Sequence, residues 1–434
     1  MKRKKLFISL VSVLSVVVFL GMFLLVWFVG AIYPDFKNFK KEFAIPGLDE
    51  GAVPQGMGTY TSSYEITDES GTTTSHTQQY FFISAYMADG SPSRLYVVGA
   101  ETGYVGYVTM KNLDGSDFYG HCGGVATNGY TLWVTGESNV YVAKASEAYS
   151  KANKNVTREI VDKAARIKLG STDSDEDYDF SVKFTASFKA NCNASFCYYY
   201  DDPKYSSVTY DRLYIGEFYR KGNYETDASH RIKTPSGYKN TAFMYEYNVT
   251  SSSSNDYGLT TISQDTGLTD KDLVPKIQKV FSLPEKIQGV AFSGKSTYSA
   301  SDGMLILSES YGLANSHLLC FDYKEIANSS EKYSTVAGTN FTYEGVTRKI
   351  GSNEIPYTDS SLYLYYVDKN DRDMFVNDYS IPCMSEGMCV ITPTSSSNPP
   401  VHRVFVLFES AGKKYNRFVR TQLKNVYSFT PKEK

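Results

Sequence analysis

The sequence predicts an all-β fold: a β-propeller of five blades behind one N-terminal transmembrane helix. Three observations predict it. Glu285–Tyr323 reads as three short strands in succession, Gln288–Phe292, Gly303–Ser308 and His317–Phe321, separated by Ser-, Gly- and Asn-rich turns. That is the pattern of an antiparallel meander. The same unit recurs along the chain. Finally, the aromatic residues are 37 Tyr and 25 Phe against two Trp, and such side chains suit the pleated, half-buried surface of a sheet.

The recurrence has two constant parts. The first is a strand of small or Gly-centred residues: Pro54–Gly58, His121–Ala126, Asn191–Phe196, Gln288–Phe292 and Ser385–Cys389. The second is an apolar strand ending in a polar turn: Tyr80–Tyr86, Thr131–Glu137, Arg212–Glu217, Met304–Glu309 and Val404–Glu409. A third strand follows at Ser93–Val98, Asn139–Ala143, Ala242–Asn248, His317–Tyr323 and Asn416–Leu423. One meander leaves a face uncovered, whereas blades packed round an axis cover both faces. Small residues suit the first strand, which lines the crowded axis. The copies lie about 65 to 100 residues apart, against roughly 40–50 for common propeller repeats, so the insertions are long. Six or seven blades, the extra ones without the motif, is the alternative. A pair of β-sandwiches fits less well, because the Gly-centred strand recurs throughout.

From the beginning, Met1–Lys5 is basic and Leu6–Ile32 runs 27 residues without a charge. About 20 apolar residues cross a bilayer as a helix. The basic flank places Met1 in the cytoplasm and the chain after Tyr33 outside. A cleaved signal with Val29-Gly30-Ala31 at the cut is the alternative, but its apolar core would be only about 7–15 residues. Residues 33–51 read as a stalk and 52–430 as the extracellular propeller, with a tail Thr430–Lys434 too polar to pack.

Six cysteines in an exported chain permit disulfides, with Cys192/Cys197 and Cys383/Cys389 as close pairs and Cys122 and Cys320 left over. Their spacing is not that of a zinc site. Lys144–Leu169 has helical content, with Val156, Ile160 and Ala164 at i, i+4 and i+8. Thr250–Asp270 is rich in Ser, Asn, Asp and Gly and reads as a loop. Net charge is -3, and four of the basic residues precede the apolar segment. No basic stripe remains for nucleic acid.

Blade geometry brings the start of each first strand and the end of each second strand to one face. There stand Gln55, His121, Asn193, Gln288 and Glu386 from the first strands. Glu137, Glu217, Glu309 and Glu409, with Ser84, come from the second, and Tyr86, Tyr219 and Tyr311 follow two residues on. The ligand-binding candidates are therefore Gln55, His121, Glu137, Glu217, Gln288, Glu309, Tyr311, Glu386 and Glu409. Converging carboxylates call for a cation, a basic partner or raised pKa values. Ca²⁺ takes six to eight oxygens from carboxylates, amides and carbonyls, so Glu137, Glu217, Glu309 and Glu409 are the expected metal ligands. A bland reading has the same residues accepting backbone N–H bonds or pairing with Arg220, Lys413 and Arg417. As acid and base, two such carboxyls could instead cleave a glycosidic bond. His121 reads as a channel residue before a base.

Other motifs carry little. Asp173–Asp179 lacks the Gly and the final Glu of a calcium-binding EF-hand loop. Asn155, Asn193, Asn248, Asn328 and Asn340 begin glycosylation sequons. There is no G-x-S-x-G elbow, no phosphate-binding Gly loop and no dinucleotide fingerprint.

The series Pro54–Gly58, His121–Ala126, Gln288–Phe292, Leu307–Gly312, Ser385–Met388 and Val406–Gly412 resembles secreted or membrane-anchored bacterial β-propellers of unassigned activity. The resemblance spans Ala52–Leu423. It implies the fold and an extracellular location and supplies no catalytic residues. The expected function is binding of a ligand or partner, a glycan or a protein, at one channel mouth, with Ca²⁺ as the candidate cofactor. A carboxylate-based or metal-dependent hydrolase and a structural surface module are the alternatives.

Overall fold

Five four-stranded antiparallel meanders stand where the sequence repeats, and their innermost strands form a closed ring. The computed structural model describes residues 33–67, 71–100, 103–136, 139–153, 180–190, 192–200, 211–250, 255–265, 271–293, 303–329, 331–332, 340–343, 346–349, 363–391, 402–419 and 422–432. The basic tail, the apolar segment Leu6–Ile32, the acidic run Asp173–Asp179 and Glu137 lie outside these residues. Among the described residues no helix is long and apolar enough to cross a membrane.

From the axis outward, blade 1 consists of Ala52–Thr67, Thr73–Met87, Arg94–Gly99 and Gly103–Lys111. Blade 2 is Val125–Thr127, Thr131–Gly136, Asn139–Lys144 and Ala186–Lys189. Blade 3 is Ala194–Tyr200, Arg212–Glu217, Ala242–Asn248 and Ile277–Leu283, extended outward by Tyr363–Tyr366. Ile287–Ser293, Met304–Glu309, Ser316–Asp322 and Phe375–Ile381 make blade 4. Blade 5 takes Ser385–Ile391, Arg403–Phe408 and Asn425–Phe429 from the C-terminal end of the chain, and its outer strand, Lys40–Ala44, from the N-terminal end.

The segment expected as a stalk thus closes the ring. Lys40 pairs with Ser428 and Lys41 with Tyr427, Glu42 bonds Arg403 and Ser428, and Ile45 and Leu48 are buried. Phe36 and Phe39 pack on Tyr427 and Phe429 with ring centroids 4.8 and 4.6 Å apart. The third strand of blade 5 is Asn425–Phe429 and not Asn416–Leu423, because Glu409–Ala411 and Lys413–Tyr415 form two 3-10 turns that take the chain across the mouth first. The C-terminal stretch packs too, with Pro431 buried and the Lys432 N–H donating to Tyr379. Of the expected helix, residues 145–153 are helical and bury Ala145, Ala148 and Ala152. Val156, Ile160 and Ala164 lie outside the described residues. Thr250–Asp270 contains the strand Thr261–Asp265, paired with Lys271–Pro275.

The core is the set of interfaces between blades. Away from the axis the blades diverge, and large rings fill the wedge: Tyr60 and Phe82 towards blade 2, Tyr198 and Phe292 between blades 3 and 4, Phe81 and Phe405 between blades 1 and 5. At the axis the backbones nearly touch. A Cβ on Gly387 would lie 2.5 Å from the Met57 nitrogen, and one on Gly289 2.5 Å from the Glu386 carbonyl oxygen. Gly56, Gly123 and Gly124 meet the next blade's backbone in the same way. Four of the five inner strands carry a bulge at this level. At this level hydroxyls on second strands cross to the neighbouring blade, in blades 1 and 4 beside a bulge. Ser84 accepts from Gly56 N–H at 2.9 Å and donates to the Cys122 carbonyl at 2.7 Å. Thr135 accepts from Gly124 N–H and donates to Ser195 at 3.3 Å. Ser308 reaches the Ser385 carbonyl and hydroxyl.

Neither expected disulfide is present, and all six cysteines are free thiols. Cys197 turns towards the Trp133 carbonyl in the interface of blades 2 and 3, and Cys389 belongs to the cluster of Met57, Phe81 and Phe405 between blades 5 and 1. Both side chains are committed to interblade packing, not to the loops that carry Cys192 and Cys383.

Replacing Gly387 by Ala forces two inner strands apart, so it should destabilise the fold by at least about 1–3 kcal/mol. Ser308→Ala, which leaves buried acceptors without a donor, should cost about 1–3 kcal/mol. Urea unfolding followed by circular dichroism measures both, and an unchanged midpoint for Gly387→Ala would contradict the closed ring.

Candidate ligand-binding site at the mouth of the channel

Inner strands start, and second strands end, at one face of the ring. A cavity of about 690 Å³ opens there, inside the roughly 300–1,000 Å³ range of small-molecule sites. Gln55, Gln288 and Glu386 reach it from the bulged starts of the inner strands of blades 1, 4 and 5. Three turns that feed inner strands hold a non-glycine residue in the left-handed region, Cys122, Lys286 and Met384, with φ of 56°, 60° and 61°. Such strain persists only where the surroundings over-determine it. Here the Lys286 carbonyl accepts from Ser310 N–H and the Met384 carbonyl from Glu409 N–H, both at 2.8 Å.

Two aromatic walls flank this floor. On one side Tyr86 and Tyr415 enclose the Lys414 ammonium, 4.5 and 4.6 Å from their ring centroids, and His121 lies 4.5 Å from Tyr86. On the other, Phe218 stacks on Tyr311 at 6.0 Å, Tyr224 meets Phe218 at 5.4 Å, and Arg220 covers Tyr311 at 4.0 Å. Asn193 and Ser195 complete the lining from blade 3.

Of the nine sequence-derived candidates, Gln55, His121, Gln288, Tyr311, Glu386 and Glu409 line this one cavity. Glu217 and Glu309 do not. Glu217 is buried behind the wall, accepting from Phe243 N–H at 2.8 Å and contacting His230 Nδ1 at 2.6 Å. Glu309 pairs with Lys369 at 2.7 Å on the flank of blade 4. Glu137 is outside the described residues. The four-Glu calcium cluster is therefore not assembled from Glu217, Glu309 and Glu409, and among the described residues no group of three His, Cys, Asp or Glu is placed to hold a metal. Asp368 accepts from the Ser236 hydroxyl and Asn370 N–H and serves its own turn. Sequence reasoning missed Lys414, Tyr415, Phe218 and Tyr224. All four sit on insertions after second strands, where no repeat marks them.

The carboxyls Glu386 and Glu409 have different surroundings. Glu409 accepts from the phenols of Tyr415 at 2.5 Å and Tyr86 at 3.2 Å, with the Lys414 ammonium 3.7 Å away. Burial raises its pKa, while Tyr415, Gln55 and His121 pull it back. Glu386 is 4% exposed. Burial first, and the charge of Glu409 second, hold its pKa well above the ordinary carboxyl value. Burial lowers the pKa of Lys414 and raises that of Tyr415, the latter helped by Glu409. The mouth thus favours the uncharged forms of Glu386, Glu409 and Lys414.

Compared with known proteins, the chain matches no family model and no curated protein.

A group whose folded pKa exceeds its unfolded value binds more protons folded than unfolded, so stability falls as pH rises through that interval. For Glu386 the fall begins near the ordinary value of 4.5. Glu386→Gln should therefore unfold at higher denaturant than wild type at pH 7 and match it near pH 4, as a pH series of unfolding curves will measure.

Proposed function

We propose that this propeller binds a small polyhydroxylated ligand, a saccharide unit, in the mouth cavity. The observation that carries the reading is the pair of aromatic walls over a floor of amides and carboxyls. A sugar ring presents flat C–H faces that pack against Tyr and Phe rings. Its hydroxyls both donate and accept, which matches Gln55, Gln288, Asn193 and protonated Glu386. A floor that burial keeps mostly uncharged suits a neutral ligand better than an anion. Titration calorimetry with four-unit cello-, xylo-, arabino-, chito- and manno-oligosaccharides tests this. Tyr311→Ala and Tyr415→Ala, each folded by circular dichroism, should weaken binding at least tenfold. Absence of binding at millimolar concentrations, or binding indifferent to both substitutions, would sink the reading.

The convergence of Glu386 and Glu409 beside Gln55 and Gln288 favours a second occupant, Ca²⁺ held by the two carboxylates with amide oxygens. A thermal midpoint that rises on adding Ca²⁺ after EDTA, and no longer does so in a Glu386→Gln/Glu409→Gln double variant, would identify the cation as the ligand.

The proposal places this binding site outside the cell, on a chain held in the membrane by Leu6–Ile32. The support is the length of the uncharged run and its basic flank. Because residues 33–51 belong to the ring, the anchor would join the body with no free stalk. The full chain should stay with membranes through an alkaline carbonate wash while a chain starting at Tyr33 is released; release of both would overturn the anchor.

A further inference from the structure

We propose that Glu386 and Glu409 act as an acid–base pair that hydrolyses a glycosidic bond of the saccharide held in the mouth cavity. This rests on the saccharide reading of the same cavity. Both carboxyls line it, one from the inner strand of blade 5 and one from the end of that blade's second strand. Their surroundings assign the roles. Glu409 receives two phenol hydrogen bonds and faces Lys414 and His121, all of which favour the carboxylate. No hydrogen bond to the Glu386 carboxyl is found among the described residues, and the charge that acts on it is that of Glu409. Burial raises the pKa of both, but only Glu409 has hydrogen bonds and a positive neighbour that draw it back, and that asymmetry is what an acid and a base need.

In the reaction the Glu386 proton moves to the glycosidic oxygen as the C1–O bond breaks and its electron pair stays on that oxygen. Water adds to C1 and gives its proton to Glu409. The net change is acetal plus water to hemiacetal plus alcohol, and the proton on Glu409 returns to Glu386 within the pair. If Glu409 adds to C1 directly, water then displaces it with Glu386 as base. The anomer of the product separates the two courses. The aromatic walls hold the ring over the pair, and Tyr86, Tyr415 and Gln55 fix Glu409.

The test uses the full chain, the same five oligosaccharides and water enriched in ¹⁸O, with mass spectrometry of the products. Shortened chains carrying one ¹⁸O at the new reducing end are expected from the oligosaccharide that binds. In Glu386→Gln an amide that still donates and accepts replaces the protonated carboxyl but has no proton to give, so the variant should bind within a few-fold of wild type and cut at least 100-fold more slowly. The same variant should lose far less on the 2,4-dinitrophenyl glycoside of that sugar, whose leaving group needs no proton. Glu409→Gly should be inactive and regain turnover with azide, releasing a glycosyl azide, a rescue that a merely structural role would not show. Wild-type rate should fall as pH rises and Glu386 loses its proton. Binding without ¹⁸O product after a day, or Glu386→Gln cutting at the wild-type rate, overturns the cleavage and leaves the binding reading standing. No binding at all overturns the saccharide reading beneath it.

Discussion

The contact on which the rest of this molecule depends is the hydrogen bond that leaves the second strand of one blade, passes its inner strand and ends on the next blade's backbone. Ser84, Thr135 and Ser308 make it, and the glycines beside them make it sterically feasible. It ties neighbouring sheets at the point where side chains cannot pack, because the backbones are too close. Blade 3 solves the same problem apolarly: Gly216 stands where the hydroxyl would be, and the Phe196 ring fills the space. In blades 1 and 4 the bulge beside that hydroxyl also carries a residue of the mouth floor, Gln55 or Gln288; in blade 5 Leu407 takes the hydroxyl's place and the bulge carries Glu386. In blades 1 and 4 ring closure and the floor of the mouth therefore meet at one backbone irregularity.

Much of this was legible in the sequence, and the reason is steric. Gly-centred segments such as Gln288–Phe292 and Ser385–Cys389 repeat because every inner strand meets the same crowding. Six of nine site candidates followed from placing those strands in a ring. What failed to follow is equally physical. Lys40–Ala44 carries no motif, since an outer strand meets no close neighbour across the axis, so its role as the fifth blade's edge was invisible. Glu217 and Glu309 share the position of Glu409 in their blades and were grouped with it. Their partners, His230 and Lys369, come from insertions with no periodicity. Lys414 and Tyr415 lie in a 3-10 turn just before Asn416–Leu423, the segment that reads as the third strand, so the repeat passes over them.

The site has a rigid half and a variable half. Gln55, Gln288 and Glu386 sit on strands fixed by the ring, whereas Phe218, Tyr224, Tyr311, Lys414 and Tyr415 sit on segments after second strands, where loop length is free. Polar groups that fix orientation are best held on rigid elements, and loops supply the surfaces that distinguish one ligand from another. The Lys414 ammonium between Tyr86 and Tyr415 shows how the halves are joined, since it shields the rim and faces Glu409 as well.

The fifth blade is shared between the two ends of the chain, and this sets the order in which the molecule is made. During synthesis Lys40–Ala44 emerges before every other strand of the ring and Asn425–Phe429 after all of them, so the first strand of the fold waits for its partner until the whole ring has been made. Four blades can collapse one after another on local contacts, but the ring remains an open crescent with two apolar flanks until the ends meet. Pairing across so long a stretch of chain is slow, and exposed flanks are where incomplete chains aggregate. Closure is thus the last and slowest event expected in folding, and it happens when the mouth, whose walls include the blade 5 turns, takes its final shape.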